Sequence, residues 1–181
     1  MTGLSSRWRR DTDLMDKLTT ERADLLEAGR LDDLCKAARN SERRRAHLLL
    51  HSGHQDQVQR LVIAVEPGTY VRAHKHSEQW EMLVLLRGRV DVLLLSDGCE
   101  LQQRALLNRA APVIQIPMGQ CHCAIVRETG SVVLEIKPGP YRPNEFMAWA
   151  PEEGASTTGA FLNWASDARV GQSWSRAGKS E

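Results

Sequence analysis

No stretch of these 181 residues stays apolar for the ~18 positions that a membrane span needs. No apolar run follows the polar, basic start from Met1 to Arg10, as an export leader would require. The sequence therefore reads as soluble and cytoplasmic. An excess of one charge is lacking too: 24 Lys plus Arg stand against 23 Asp plus Glu. That balance gives no field to recruit nucleic acid, an acidic polymer or a membrane surface. The four cysteines, Cys35, Cys99, Cys121 and Cys123, form no CxxC pair and no dense framework. They point to reduced thiols rather than disulfide staples. There is no internal repeat or low-complexity tract, and the length suits one domain with appendages.

What is present changes character along the chain. Over residues 11–28, Leu14, Met15, Leu18, Leu25 and Leu26 fall near one helical face, with Asp11 and Asp13 suited to the start and Gly29 to the stop. Leu31, Leu34, Cys35 and Ala38 then recur at i, i+3, i+4 and i+7, which predicts a second amphipathic helix ending near Asn40. From Ser41 on, short apolar runs alternate with turn residues: 61–65 before Pro67-Gly68, 82–86 before Gly88, and 90–95 before Asp97-Gly98. Runs over 111–116 and 132–136 continue the series, at a spacing that predicts an antiparallel barrel or sandwich. Beyond Pro138 the stretches around Trp149 and 161–165 predict an arm with one short helix, and 171–181 reads as a frayed tail. The expected division is a helical extension over 1–40, a β-barrel over 41–150 and a C-terminal arm over 151–181.

The chemistry concentrates in two short segments. In the first, Gly68 is followed after five residues by His74-Lys75-His76, after four more by Glu81 and after six more by Gly88. Strand alternation sends His74 and His76 to one face, with Cα atoms roughly 6.5 Å apart, close enough to converge on one ion. The polar Ser77-Glu78-Gln79 can turn the chain and return Glu81 beside them. In the second segment the Pro117 and Gly119 turn delivers His122 to the start of a strand. Three imidazoles and a carboxylate suit a divalent first-row metal: Fe, Mn, Ni, Co or Zn. By the same alternation Cys121 and Cys123 point away from His122, as packing residues.

Both segments resemble the cupin superfamily, whose first motif has the form GxxxxxHxHxxxxExxxxxxG and whose second contains PxGxxH. The chain is further similar to the WbuC family of cupin-fold metalloproteins over roughly residues 31–165. That similarity is carried by Arg43-Arg44-Arg45, Leu50-His51, Val58-Gln59-Arg60-Leu61 and Pro67-Gly68-Thr69-Tyr70-Val71-Arg72. It continues in Trp80-Glu81, Glu135-Ile136-Lys137-Pro138-Gly139-Pro140-Tyr141 and Trp149-Ala150-Pro151. His47, Leu49 and Gln57 depart from the family's pattern. The resemblance implies a mainly β, single cupin domain: a double-stranded β-helix or jelly-roll barrel with N-terminal helices and a short C-terminal helical arm. It also implies a place in polysaccharide biosynthesis.

Around the metal, Glu135 and Lys137 share one face of a strand, either in the cavity, where they could move protons, or on the outer surface. His51 is a further candidate for proton transfer. Arg43, Arg45 and Arg60 read either as a cationic wall for a carboxylate or phosphate or as a solvated basic turn. Tyr141 and Trp80 either stack on a sugar or close the barrel end. The favoured function is an isomerase or lyase acting on a small polar, sugar-derived substrate. A non-haem Fe(II) dioxygenase and a non-catalytic metal or ligand sensor are the alternatives, and unpaired edge strands point to a homodimer.

Overall fold

The apolar runs fold into ten strands in the computed structural model, which describes residues 25–175. Helix α1 (Ala28–Asn40) comes first, followed by β1 (Arg45–Leu49), β2 (Val58–Val65), β3 (His74–Lys75), β4 (Glu81–Arg87) and β5 (Val90–Leu95). Then come β6 (Leu101–Leu107), β7 (Val113–Ile116), β8 (Cys121–Val126), β9 (Ser131–Pro138), β10 (Glu145–Phe146) and helix α2 (Thr158–Asp167). The strands form two five-stranded sheets, ordered β1-β2-β9-β4-β7 and β10-β3-β8-β5-β6, with antiparallel pairing throughout. This is the mainly β, two-sheet barrel that the run spacing predicts.

Alternation sorts the side chains into three apolar layers. Leu61, Ile63 and Val65 of β2, Leu83 and Leu85 of β4 and Val133 of β9 point between the sheets, meeting Val90, Val92 and Val126. The intervening residues Val62, Ala64 and Val132 point outward and are covered by Cys35 and Ala38 of α1, with Leu31 and Leu34 alongside. The second sheet's outer face, with Leu93, Leu95, Cys121, Cys123 and Ile125, is covered by Phe161 and Ala165 of α2, by Tyr70 and by Ala150. Each helix thus hides the sheet face that would otherwise meet water.

Some expectations from the sequence fall outside the described residues, and others differ from the structure. The helix expected over 11–28 lies almost wholly outside the described residues; of its last part, residues 25–27 are not helical. Gly29, read as a stop, sits in the first turn of α1, where its flexibility costs little because the first amides of a helix have no intrahelical partner. The tail is bound at least as far as Trp174. The Gly171 amide donates to Leu101 O at 2.8 Å, the Leu101 amide donates to Gln172 O at 2.8 Å, and Trp174 lies edge-on to Phe161 at 5.3 Å. A partly buried indole packed on the layer under α2 offsets the ordering of a polar segment; residues 176–181 lie outside the described residues. Strands β1 and β6 gave no clear run because both are sheet edges with mixed exposure. No helix of the described residues is long and apolar enough to cross a membrane.

Candidate metal centre

Local structure explains the convergence of the motif residues. His74 on β3 stands directly opposite His122 on β8, so both side chains leave the second sheet on one face. Ala73, fully buried, turns to the opposite face, under α2. The Gly119 amide donates to His76 O at 2.9 Å, which fixes the Pro117 turn against β3 and sets His122 beside His76. Gly119 has φ +74, a backbone that favours glycine. After β3 the chain crosses to the facing sheet, and the buried Gln79 Nε2 secures that crossing by donating to Pro138 O and Pro140 O. Glu81 then opens β4 and points back between the sheets.

The result is a buried group in which His74, His76, Glu81 and His122 each offer a ligand atom, all within 4.8 Å of one another. Ring centroids are 4.4 Å apart for His74 and His122, 5.1 Å for His74 and His76, and 5.7 Å for His76 and His122. His74 Nδ1 lies 2.8 Å from Arg72 O, and His122 Nδ1 lies 3.0 Å from Gln120 O. Each Nδ1 proton goes to its carbonyl, which leaves Nε2 with its lone pair for an ion. His122 Nε2 comes within 2.8 Å of Glu81 Oε2 without the alignment a hydrogen bond needs, and neither ring nitrogen of His76 has a hydrogen-bond partner. Buried polar atoms without partners are costly. An ion at the focus of the cluster would satisfy His122 Nε2 and one ring nitrogen of His76 together.

The electrostatics favour the ligand-competent protonation states of His74 and Glu81. Burial, followed by the His122 ring, pushes the His74 imidazole down to about 3, which keeps it neutral. Against the burial penalty, contacts with His122 and His76 hold the Glu81 carboxyl well below the usual range. Burial also opposes a charge on His122, but Glu81 outweighs it and raises the imidazole's pKa. A divalent ion would compete with that proton for Nε2.

Glu135 and Lys137 lie on the inward face of β9 with Val133, so the cavity alternative holds. Lys137 Nζ is 2.8 Å from Glu135 Oε1, and both side chains are largely buried. Burial, then the charge of Glu81, pushes the Glu135 carboxyl up to about 7. Lys137 is raised: burial acts against its charge, and Glu135 and Glu81 overcome it. Tyr141 is near enough to Lys137 to act on its charge, although its ring stacks on His54 at 4.6 Å and is 45% exposed. Trp80 is half-buried beside Glu81. A cleft of ≈ 230 Å³ reaches His76, bordered by Gln79, Glu145 and the Arg142–Glu78 ion pair, whose length is 2.7 Å.

Other candidates are not brought to the centre. His51 is buried, but its Nδ1 accepts the Arg60 amide at 2.9 Å, a backbone clasp between β1 and β2. Arg60 is on the outer side of β2, 4.0 Å from Asp56. Arg45 pairs in register with Val65, whereas Glu135 pairs with Leu61, four residues along β2 and so about 13 Å away. Arg43 and Arg45 both grip Glu153, Arg43 with two contacts at 2.8 and 2.7 Å, and so tie the C-terminal arm to β1. The basic run is thus divided between a fastening and a surface pair. Two residues near the centre were missed, Arg72 and Phe146. Arg72 had a signal, since it precedes His74 by two residues and alternation gives it the same face; Phe146 had none.

Cys121 and Cys123 do turn away from the ligands, into the layer under α2. Burial pushes the Cys121 thiol up to about 12 and the Cys123 thiol higher still. In native protein at pH 8, a thiol-specific disulfide reagent is expected to leave both unlabelled over hours and to reach them after unfolding. Rapid labelling in the native state would contradict this packing.

A family model described as a domain of unknown function (DUF6016) matches residues 26–107, under half of the chain. No curated protein sequence matches. Similar solved structures include KdgF from Halomonas sp., with 16% identity and TM-score 0.45, covering 54% of this chain and 82% of that one. A cupin-2 domain protein from Shewanella frigidimarina shares 18% identity at TM-score 0.40, covering 51% and 79%. The DMSP lyase DddQ from Ruegeria pomeroyi shares 17% at 0.47, covering 60% and 53%. At this degree of likeness no activity carries over to this chain.

Proposed function

We propose that the protein binds one divalent metal ion through His74, His76, Glu81 and His122 and acts as an isomerase or lyase on a small polar, sugar-derived substrate. The observation that carries this reading is the buried four-residue group, with two Nδ1 atoms committed to carbonyls and Nε2 atoms left free, next to a buried Lys137–Glu135 pair. Bound there, the ion supplies a Lewis acid that polarises a substrate oxygen. The chain does the rest. Glu135 takes a proton from the substrate, and Lys137 Nζ, at 2.8 Å, balances the charge and returns a proton at the neighbouring atom. The apolar layer around Leu61, Leu83 and Val133 keeps bulk water from the transfer. A cytoplasmic homodimer working in polysaccharide biosynthesis completes the proposal, supported by the resemblance to WbuC-type sequences and by the unpaired sheet edges.

Elemental analysis of tag-free protein tests the metal; one divalent ion per chain is expected, and none would overturn the reading. A substrate recovered from a metabolite mixture then tests the chemistry. Lys137→Met is expected to keep the metal and lose about 100-fold or more in turnover. Turnover with Zn(II) and no oxygen uptake fits an isomerase or lyase; oxygen consumption that requires Fe(II) would turn the reading to an oxygenase.

A further inference from the structure

Among the described residues, the buried polar side-chain atoms without hydrogen-bond partners are Arg72 Nε, His76 Nδ1 and Nε2, Gln79 Oε1, His122 Nε2 and Trp174 Nε1. Three of these six belong to the metal ligands. Arg72 Nε belongs to the residue two before His74, whose carbonyl already receives the His74 Nδ1 proton. The Arg72 guanidinium lies over the Phe146 ring, 5.1 Å from its centroid. Phe146 in turn pairs in register with His74, and their rings are 6.1 Å apart. Arg72, Phe146 and His74 therefore form a continuous row on the inward face, leading from the ligands to the opening, where Phe146 is 53% exposed.

No acidic side chain of the described residues competes for Arg72. Glu81 is committed to the imidazoles, and Glu153 is held by Arg43 and Arg45. Glu145 pairs in register with Lys75, on the opposite face of β10 from Phe146. A guanidinium stacked on an aromatic ring keeps its planar edge of N–H donors open, and the natural partner of that edge is a carboxylate. We infer that Arg72 and Phe146 form a carboxylate-binding subsite next to the metal centre, so that the ligand is a hydroxy acid with its acid group on Arg72 and an oxygen at the ligand cluster. This rests on the metal reading above for the second contact, but not for the first.

The test compares D-gluconate with sorbitol, an acid and a neutral polyol of equal carbon number, on zinc-loaded protein by titration calorimetry. Wild type is expected to bind gluconate about 10- to 100-fold tighter, the span of a charge-assisted hydrogen bond. Arg72→Met is expected to bring the two affinities together with zinc content unchanged, and Arg72→Lys to keep part of the preference. Circular dichroism checks that both variants fold. No preference in wild type, or an undiminished preference in Arg72→Met because the acid binds the ion directly, would overturn the subsite. If elemental analysis finds no metal, that failure belongs to the metal reading alone. The subsite is then tested in metal-free protein by the Arg72 Nε–H signal in ¹⁵N spectra. That signal is assigned by its loss in Arg72→Lys, and it should shift with gluconate and stay fixed with sorbitol; no shift with gluconate overturns it.

Discussion

Replacing His122 by alanine is expected to take the protein from one bound divalent ion per chain to essentially none, while its far-ultraviolet spectrum stays that of a β protein. The loss should be large because His122 supplies one of the four ligand atoms, which all lie within 4.8 Å of one another. Altering groups that merely orient a ligand already costs 10–100-fold in affinity, so loss of a ligand should cost at least ~100-fold. The fold should persist because the layers around Val62, Leu93 and Val133 are apolar and independent of the ion. Cys123→Ala, one residue away on the opposite face of β8, is the control and should keep the metal. A chelator should lower the unfolding midpoint of wild type, where binding adds to stability, and leave His122→Ala unmoved. Full metal content in His122→Ala by elemental analysis would refute the assignment.

Asp91→Ala is expected to destabilise the protein by about 3–5 kcal/mol, the cost of breaking a buried charge cluster by removing one partner. Asp91 is 3% exposed and lies on the outer face of β5. Its Oδ2 accepts Arg104 Nη1 at 2.9 Å and Arg127 Nε at 2.7 Å. The same guanidiniums donate to the final carbonyls of α2: Arg104 Nη2 to Ala165 O at 2.7 Å and Ala168 O at 2.8 Å, and Arg127 Nη2 to Ser166 O at 2.7 Å. A carboxylate thus holds two cations against the negative end of a helix, the end that favours them. Urea unfolding followed by tryptophan fluorescence is a direct readout, because Trp164 and Trp174 pack in the layer that α2 closes. The contrast is Asp32, whose ion pair with Arg87 is as short, at 2.6 Å, but is 66% exposed on the carboxylate side. Asp32→Ala should change stability by under ~1 kcal/mol, because water already solvates that pair. An equal effect of the two substitutions would sink the argument that burial makes the difference.

The sequence by itself determined which four residues are candidates and the face each takes, because those steps are local; the pairing of β3 with β8 and the crossing to β4 then brought them together. Alternation puts His74 and His76 on one face, a polar turn returns Glu81, and the Pro117 and Gly119 turn places His122. It also determined that Glu135 and Lys137 share a face and that Cys121 and Cys123 oppose His122. A period of two, however, fixes faces only relative to each other. Which face of β9 looks inward was decided by α1, which covers Val132 and Leu134 and so leaves Glu135 and Lys137 to the cavity. Likewise only the pairing of β1 with β2 decided that Arg45 lies beside Val65 rather than near the ligands, and only the arm's Glu153 decided its partner. Arg72 meets Phe146 across 74 positions of sequence, and Asp91 meets Arg127 across 36. Contacts of that span leave no periodic trace in either segment, so the partners of Arg72 and Asp91 became visible only once the sheets were paired.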